Sequence, residues 1–132
     1  MSDTGTSISR TIDLMVDHIL RTPEQKAEAL TKITVMLRIP IEMVEAQQAK
    51  GLQAEHDIIE INKQIEDLNV ILKKTLKKQN AGKRSQLQVD NVKRQLDNAH
   101  QRLVGKQQFI TDVETIHNRV TNQARQIVES LS

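Results

Sequence analysis

Residues 89–131 read VDNVKRQLDNAHQRLVGKQQFITDVETIHNRVTNQARQIVESL. Alternate steps of three and four from Val89 pick out Val92, Leu96, Ala99, Leu103, Lys106, Ile110, Val113, His117, Val120, Ala124, Ile127 and Leu131. An apolar residue at an average spacing of 3.5 keeps one face of a helix turned toward the same partner over many turns, so the stretch predicts a long helix with a heptad seam. Lys106 and His117 are the only strongly polar residues on that seam.

A helix starting near Ser85 would hold about 47 residues and span about 70 Å, whereas globular helices average about 10–14 residues. Left alone it would expose its seam to water, at about 25 cal/mol for each Å² of apolar surface not buried. The chain supplies a partner just upstream, where Ala54, Ile58, Ile61, Ile65, Leu68 and Leu72 repeat the same spacing. Between the seams lies Gln79-Asn80-Ala81-Gly82-Lys83. Asn and Gly readily end a helix and reverse the chain, so the turn of a helical hairpin is expected near 80–84. That turn sets Leu72 opposite Val92, Leu68 opposite Leu96, Ile65 opposite Ala99, Ile61 opposite Leu103 and Ile58 opposite Lys106.

Composition agrees with a narrow seam rather than a thick core. Phe109 is the one aromatic residue of the 132, with no Trp or Tyr, and aromatics usually fill thick cores. No cysteine is present, which excludes disulfides, thiol catalysis and cysteine metal sites. The opening Met-Ser-Asp-Thr-Gly-Thr-Ser has no basic region or apolar run of a signal peptide, and no apolar run approaches a membrane span. A cytoplasmic location is expected; export by a signal-peptide-independent system leaves no such mark, and the polar start is compatible with it.

Toward the N-terminus, residues 1–6 are small and polar and are expected to be disordered. Thr6 or Ser7 is placed to cap a first helix carrying Ile8, Ile12, Met15, Val16, Ile19 and Leu20 and ending at Arg21. Thr22-Pro23-Glu24-Gln25 then restarts a helix, with Thr at the cap, Pro at the first helical position and Gln two residues beyond. This second helix carries Leu30, Ile33, Met36 and Leu37 on one side. Pro40 removes a helical hydrogen bond and disfavours helical geometry at the residue before it, so a break or kink is expected at Arg38–Ile39. The apolar pattern resumes at Ile41 through Met43, Val44 and Ala46, and Gly51 is a weak point inside the helix that follows.

The expected architecture is all-α and elongated, a single domain. Residues 1–6 form a disordered N-terminus, 7–40 two short helices, and 41–132 a long antiparallel coiled-coil hairpin with those helices packed at its open end. They would cover the overhanging Ala124, Ile127, Val128 and Leu131.

Two groups of residues are candidates for contact. Ile59, Val70, Ile71, Val104, Phe109 and Ile116 are apolar but lie off the strict register. A two-helix seam carries about two apolar residues per heptad, a bundle helix about three, so these six predict a further face for self-association or another helical protein. Phe109 leads them, because aromatics are enriched among interface anchors. The second group is electrostatic: residues 1–72 hold 7 Lys/Arg against 12 Asp/Glu, and residues 73–132 hold 12 against 5. Lys73, Lys74, Lys77, Lys78, Lys83 and Arg84 crowd the hairpin tip without an acid among them. Such a tip suits phosphate backbones, an acidic protein surface or anionic lipid. Base-stacking aromatics and recognised nucleic-acid motifs are missing from it.

Lys106 is expected to snorkel outward over its methylenes, and His117 to sit half-exposed, displaced by Ile116. Asp97 with His100, and Glu114 with His117, have the i, i+3 spacing of bundle metal ligands. The pairs are about 25 Å apart along one helix and cannot share an ion within a chain, so no metal or cofactor is expected. No phosphate-binding glycine loop or activated nucleophile is recognisable, and a narrow seam offers no obvious small-molecule pocket. The sequence therefore reads as a non-enzymatic assembly or interaction protein, a self-associating subunit, adaptor or chaperone-like factor. The alternative is a nucleic-acid-associated protein working through its basic tip.

Overall fold

The computed structural model describes residues 7–77 and 83–132, the side chains of residues 83–85 excepted. It contains three helices: α1 (Ile8–Ile19), α2 (Pro23–Lys77) and α3 (Lys83–Ser130). No strand occurs among the described residues, and the all-α class follows as expected. The expected disorder of residues 1–6, and residues 78–82 of the expected turn, lie outside the described residues. Contacts divide the chain into two compact units, residues 1–53 with 110–132 and residues 54–109.

The unit of residues 54–109 is the helical hairpin. Its α2 segment turns Ala54 and Ile61 inward, with Ile58, Ile65, Leu68 and Leu72 half-buried. Its α3 segment buries Val89, Val92, Leu96 and Ala99 and half-buries Leu103 and Lys106. Two side-chain links report the direction. Arg102 Nη2 donates to Gln64 Oε1 at 3.0 Å, and Lys106 Nζ lies 3.0 Å from the Asp57 carboxylate. Moving up α3 moves down α2, so the segments are antiparallel, in the register that the heptads predict. Lys106 keeps its ammonium partly in water and paired with Asp57, as a snorkelling lysine on a seam would.

The other unit joins α1, the first half of α2 and the last turns of α3. Ser7 caps α1, its Oγ accepting from the Arg10 amide at 3.2 Å. Ile8, Ile12, Met15, Val16 and Leu20 form the buried stripe of α1, which stops at Ile19 with Leu20 as its C-cap. At the start of α2, the Thr22 hydroxyl accepts from the Gln25 amide at 3.2 Å and the Gln25 side chain accepts from the Thr22 amide at 3.4 Å. This is the reciprocal capping box that the sequence announced. The core gathers the α1 stripe with Ala29, Ile33, Leu37 and Val44 of α2 and Val120, Ala124 and Val128 of α3. Ile127 and Leu131 pack against it, so the end of α3 is covered by the N-terminal helices.

Polar links fix this unit. The Ile8 amide, one of the donors that a helix start leaves without an internal acceptor, donates to Gln48 Oε1 at 3.3 Å. Ser9 Oγ bonds the Glu45 carboxylate, and Gln25 Nε2 donates to the Leu131 carbonyl at 3.0 Å.

Three expectations change. The second short helix and the first arm of the hairpin are one helix, because α2 runs unbroken through Pro40 and Gly51. Ile33 and Leu37 before the proline and Val44 after it are all buried in one core, and ending the helix at residue 40 would sacrifice that packing. The missing amide would have bonded the Met36 carbonyl; Met36 is exposed and Pro40 half-exposed, so water can serve that carbonyl. Second, Leu30 and Met36 do not share the inward side of Ile33 and Leu37; they are exposed, as are Met43 and Ala46 beyond the proline. The buried face takes Ala29, Ile33 and Leu37 and then Val44 and Gln48, at steps of four and seven. Third, His117 is 5% exposed rather than half-exposed. The seam continues through it from Val113 to Val120, both buried.

Candidate contact surface

The face of α2 opposite the core in residues 28–50 is apolar at its centre. Val35 is 77% exposed, Met36 64%, Ile39 68% and Met43 58%. At 100° per residue, these four fall within about 60° of the direction of Ile39, while Ile33, Leu37 and Val44 point to the far side. Bundle helices bury one stripe and expose a polar one; this segment carries two apolar stripes. A groove of about 730 Å³ runs beside the face, with Val35, Met36 and Leu37 of α2 on one wall and Gln126 and Ile127 of α3 on the other. Fully burying one such side chain contributes about 1.5–3 kcal/mol, and since about two thirds of each is still exposed, covering these four would contribute roughly 4–8 kcal/mol per copy.

Charged residues bound the strip. Glu28 and Lys32, 3.5 Å apart, lie before it, and Lys50 lies exposed beyond it. Arg38 and Glu42 pair at 3.3 Å along one flank.

The six apolar residues chosen from the sequence are distributed differently. Ile59, Val70, Ile71 and Val104 are exposed in the hairpin unit, but Lys63 and Glu66 separate Ile59 from Val70 along their side of α2, and Ile71 is about 100° round from Val70. Phe109 is half-buried. Ile116 belongs to the other unit and packs against its core. Val35 and Ile39 were not singled out, and Met36 and Met43 were read as parts of separate apolar stripes on either side of the break or kink expected at Arg38–Ile39, so the four did not read as one face.

Of the basic residues, Lys73, Lys74 and Lys77 are exposed at the end of α2, where cations complement the helix dipole. Lys78 lies outside the described residues, and Lys83 and Arg84 begin α3 with side chains outside the description. No acid occupies the first turn of α3. Among the described residues, no three His, Asp or Glu side chains gather as metal ligands, and no helix is long and apolar enough to cross a membrane.

Comparison with family models, curated proteins and solved structures returned no match.

Proposed function

We propose that this chain is a non-enzymatic assembly protein, a helical subunit or adaptor whose work is done by contact. The observation that carries this reading is the strip Val35, Met36, Ile39 and Met43, four large apolar side chains exposed on the outward face of one helix. Contiguous apolar surface of this kind marks interaction sites. Its position on a continuous helix gives a partner a preformed, rigid ridge, so little ordering entropy opposes docking.

A nucleic-acid-associated role is the second reading, supported by the exposed Lys73, Lys74 and Lys77 beside an acid-free start of α3. The two readings separate in one experiment: light scattering of the full chain at low and high salt, with and without a mixed-sequence DNA duplex. Contact through the apolar strip predicts a mass above the monomer that is indifferent to DNA and falls when Ile39→Glu is introduced. Binding through lysines predicts a duplex complex that dissolves steeply as salt rises and ignores that substitution. A mass unmoved by Ile39→Glu would remove the strip from the assembly.

A further inference from the structure

The end of the hairpin, where α2 stops at Lys77 and α3 begins at Lys83, carries charge of one sign. From residue 68 to residue 89 the chain holds six Lys/Arg and no Asp or Glu, and Lys73, Lys74 and Lys77 are exposed there. The acids that bound this span are Asp67 and Asp90, and Asp90 already accepts a hydrogen bond from Gln86 Nε2 at 3.0 Å. The same end exposes large apolar side chains: Leu87 is 72% exposed and Leu76 43%, with Val70 and Ile71 exposed further back along α2. We infer that this end of the hairpin enters the headgroup layer of an anionic membrane, its lysines on the anionic headgroups and Leu76 and Leu87 at the acyl boundary. The inference concerns a different surface from the strip on α2 and stands independently of it.

The placement of the apolar side chains selects this occupant. Among the described residues, Thr75 and Val89 are the last buried positions of the two helices before the hairpin end. In the register set by Lys106 with Asp57, Leu76 and Leu87 stand at one level. Lys73, Lys74 and Lys77 lie within about 5 Å of that level, at 1.5 Å per residue. Counting at about 100° per residue, Leu87 is turned about 160° from the buried Val89, onto the outer side of α3. Leu76 is about 100° from the buried Thr75, on a flank of α2. The two leucines therefore ring the end of the hairpin instead of sharing a side, and a flat protein face that covered one would leave the other in water. Nucleic acid offers its phosphates to the lysines, but its backbone offers nothing apolar to the leucines. A headgroup layer surrounds whatever enters it, attracts Lys and Arg through anionic lipid, and takes apolar side chains at the acyl boundary. Lysine stems add apolar contact there while their ammonium groups stay among the headgroups. No described helix is long and apolar enough to cross a membrane, so the association is peripheral and end-on.

Flotation of the full chain with lipid vesicles tests this directly. The chain should float with phosphatidylcholine vesicles containing about one third phosphatidylserine, stay behind with pure phosphatidylcholine, and be released as salt rises. Leu87→Gln, at an exposed site in a helix, should weaken vesicle binding roughly tenfold with helicity unchanged. Exchanging Lys73, Lys74 and Lys77 together for Glu should weaken it on the order of 100-fold or more. Ile39→Glu, on the strip of the other unit, should leave it unaltered. Failure to float with the anionic vesicles at low salt overturns the inference, as does equal flotation with neutral ones. Binding that survives Leu87→Gln and is matched by binding to a mixed-sequence DNA duplex would mean that the lysines grip phosphates alone, which overturns the lipid assignment in favour of nucleic acid. Binding lost with Ile39→Glu but kept with Leu87→Gln would move the membrane contact to the strip and overturn the assignment to the hairpin end.

Discussion

Replacing His117 with Leu is expected to stabilise the protein. The residue is 5% exposed, and neither Nδ1 nor Nε2 of its ring has a hydrogen-bond partner. A neutral imidazole carries one donor and one acceptor, and leaving a buried polar group unpaired costs about 1–3 kcal/mol. Leucine has a similar reach, belongs naturally at a heptad seam position between Val113 and Val120, and removes both polar atoms from the interior. A net gain of about 2 kcal/mol is expected after some loss to imperfect packing, which for a chain of this length raises the thermal midpoint by about 7 °C. Urea titration and a thermal scan at neutral pH, followed by circular dichroism, would measure both. His117→Val is the companion, to separate the polar effect from overpacking, and His117→Gln should give no gain because it keeps polar atoms in place. If both apolar variants unfold earlier than the parent, the imidazole is bonded in solution and the reasoning from unpaired nitrogens fails.

Thr121, one turn further along α3, has a buried hydroxyl oxygen without a partner; Thr121→Val keeps the shape and should raise stability by about 1 kcal/mol, with a fall in urea midpoint counting against it. Gly105 is exposed inside α3, and a Cβ there would meet nothing within 4 Å. Gly105→Ala should therefore add about 0.5–1 kcal/mol through helix propensity alone, and an unchanged denaturation midpoint would refute that. Thr22→Ala removes one half of the capping box and should cost about 1 kcal/mol, visible as an earlier unfolding midpoint and faster amide exchange at Glu24 and Gln25.

The heptads of 54–72 and 89–131 stated the hairpin, its antiparallel register and the covered end of α3, because a seam position is inward whatever the details of its partner. The capping residues Ser7, Thr22 and Gln25 were equally legible, since a cap is chemistry between neighbours in the chain. Lys106 behaved as its long stem allows. His117 was harder: the apolar Ile116 beside it competes for the same direction, and only the packed bundle shows that the seam prevails over the neighbour. Pro40 was misleading for a related reason. Its local effect on a helix is unfavourable, yet the burial of Ile33, Leu37 and Val44 outweighs it, and that burial exists only once α1 and α3 are in place.

The candidate surface depends on the same step. Leu30, Ile33, Val35, Met36, Leu37, Ile39, Met43 and Val44 crowd one segment with apolar side chains on both faces, and periodicity cannot say which face is inward. Tertiary structure decides it by docking α1 where Gln48 meets the Ile8 amide and Glu45 meets Ser9. Those contacts join residues 36 and 40 positions apart, and no local pattern announces them. By itself the sequence determined what its own neighbours and repeats determine, namely helix ends, heptad seams and the charge of each segment. Which apolar stripe of α2 becomes core and which is left facing outward was decided only by packing, because burial is a property of what covers a surface and not of the residues that compose it.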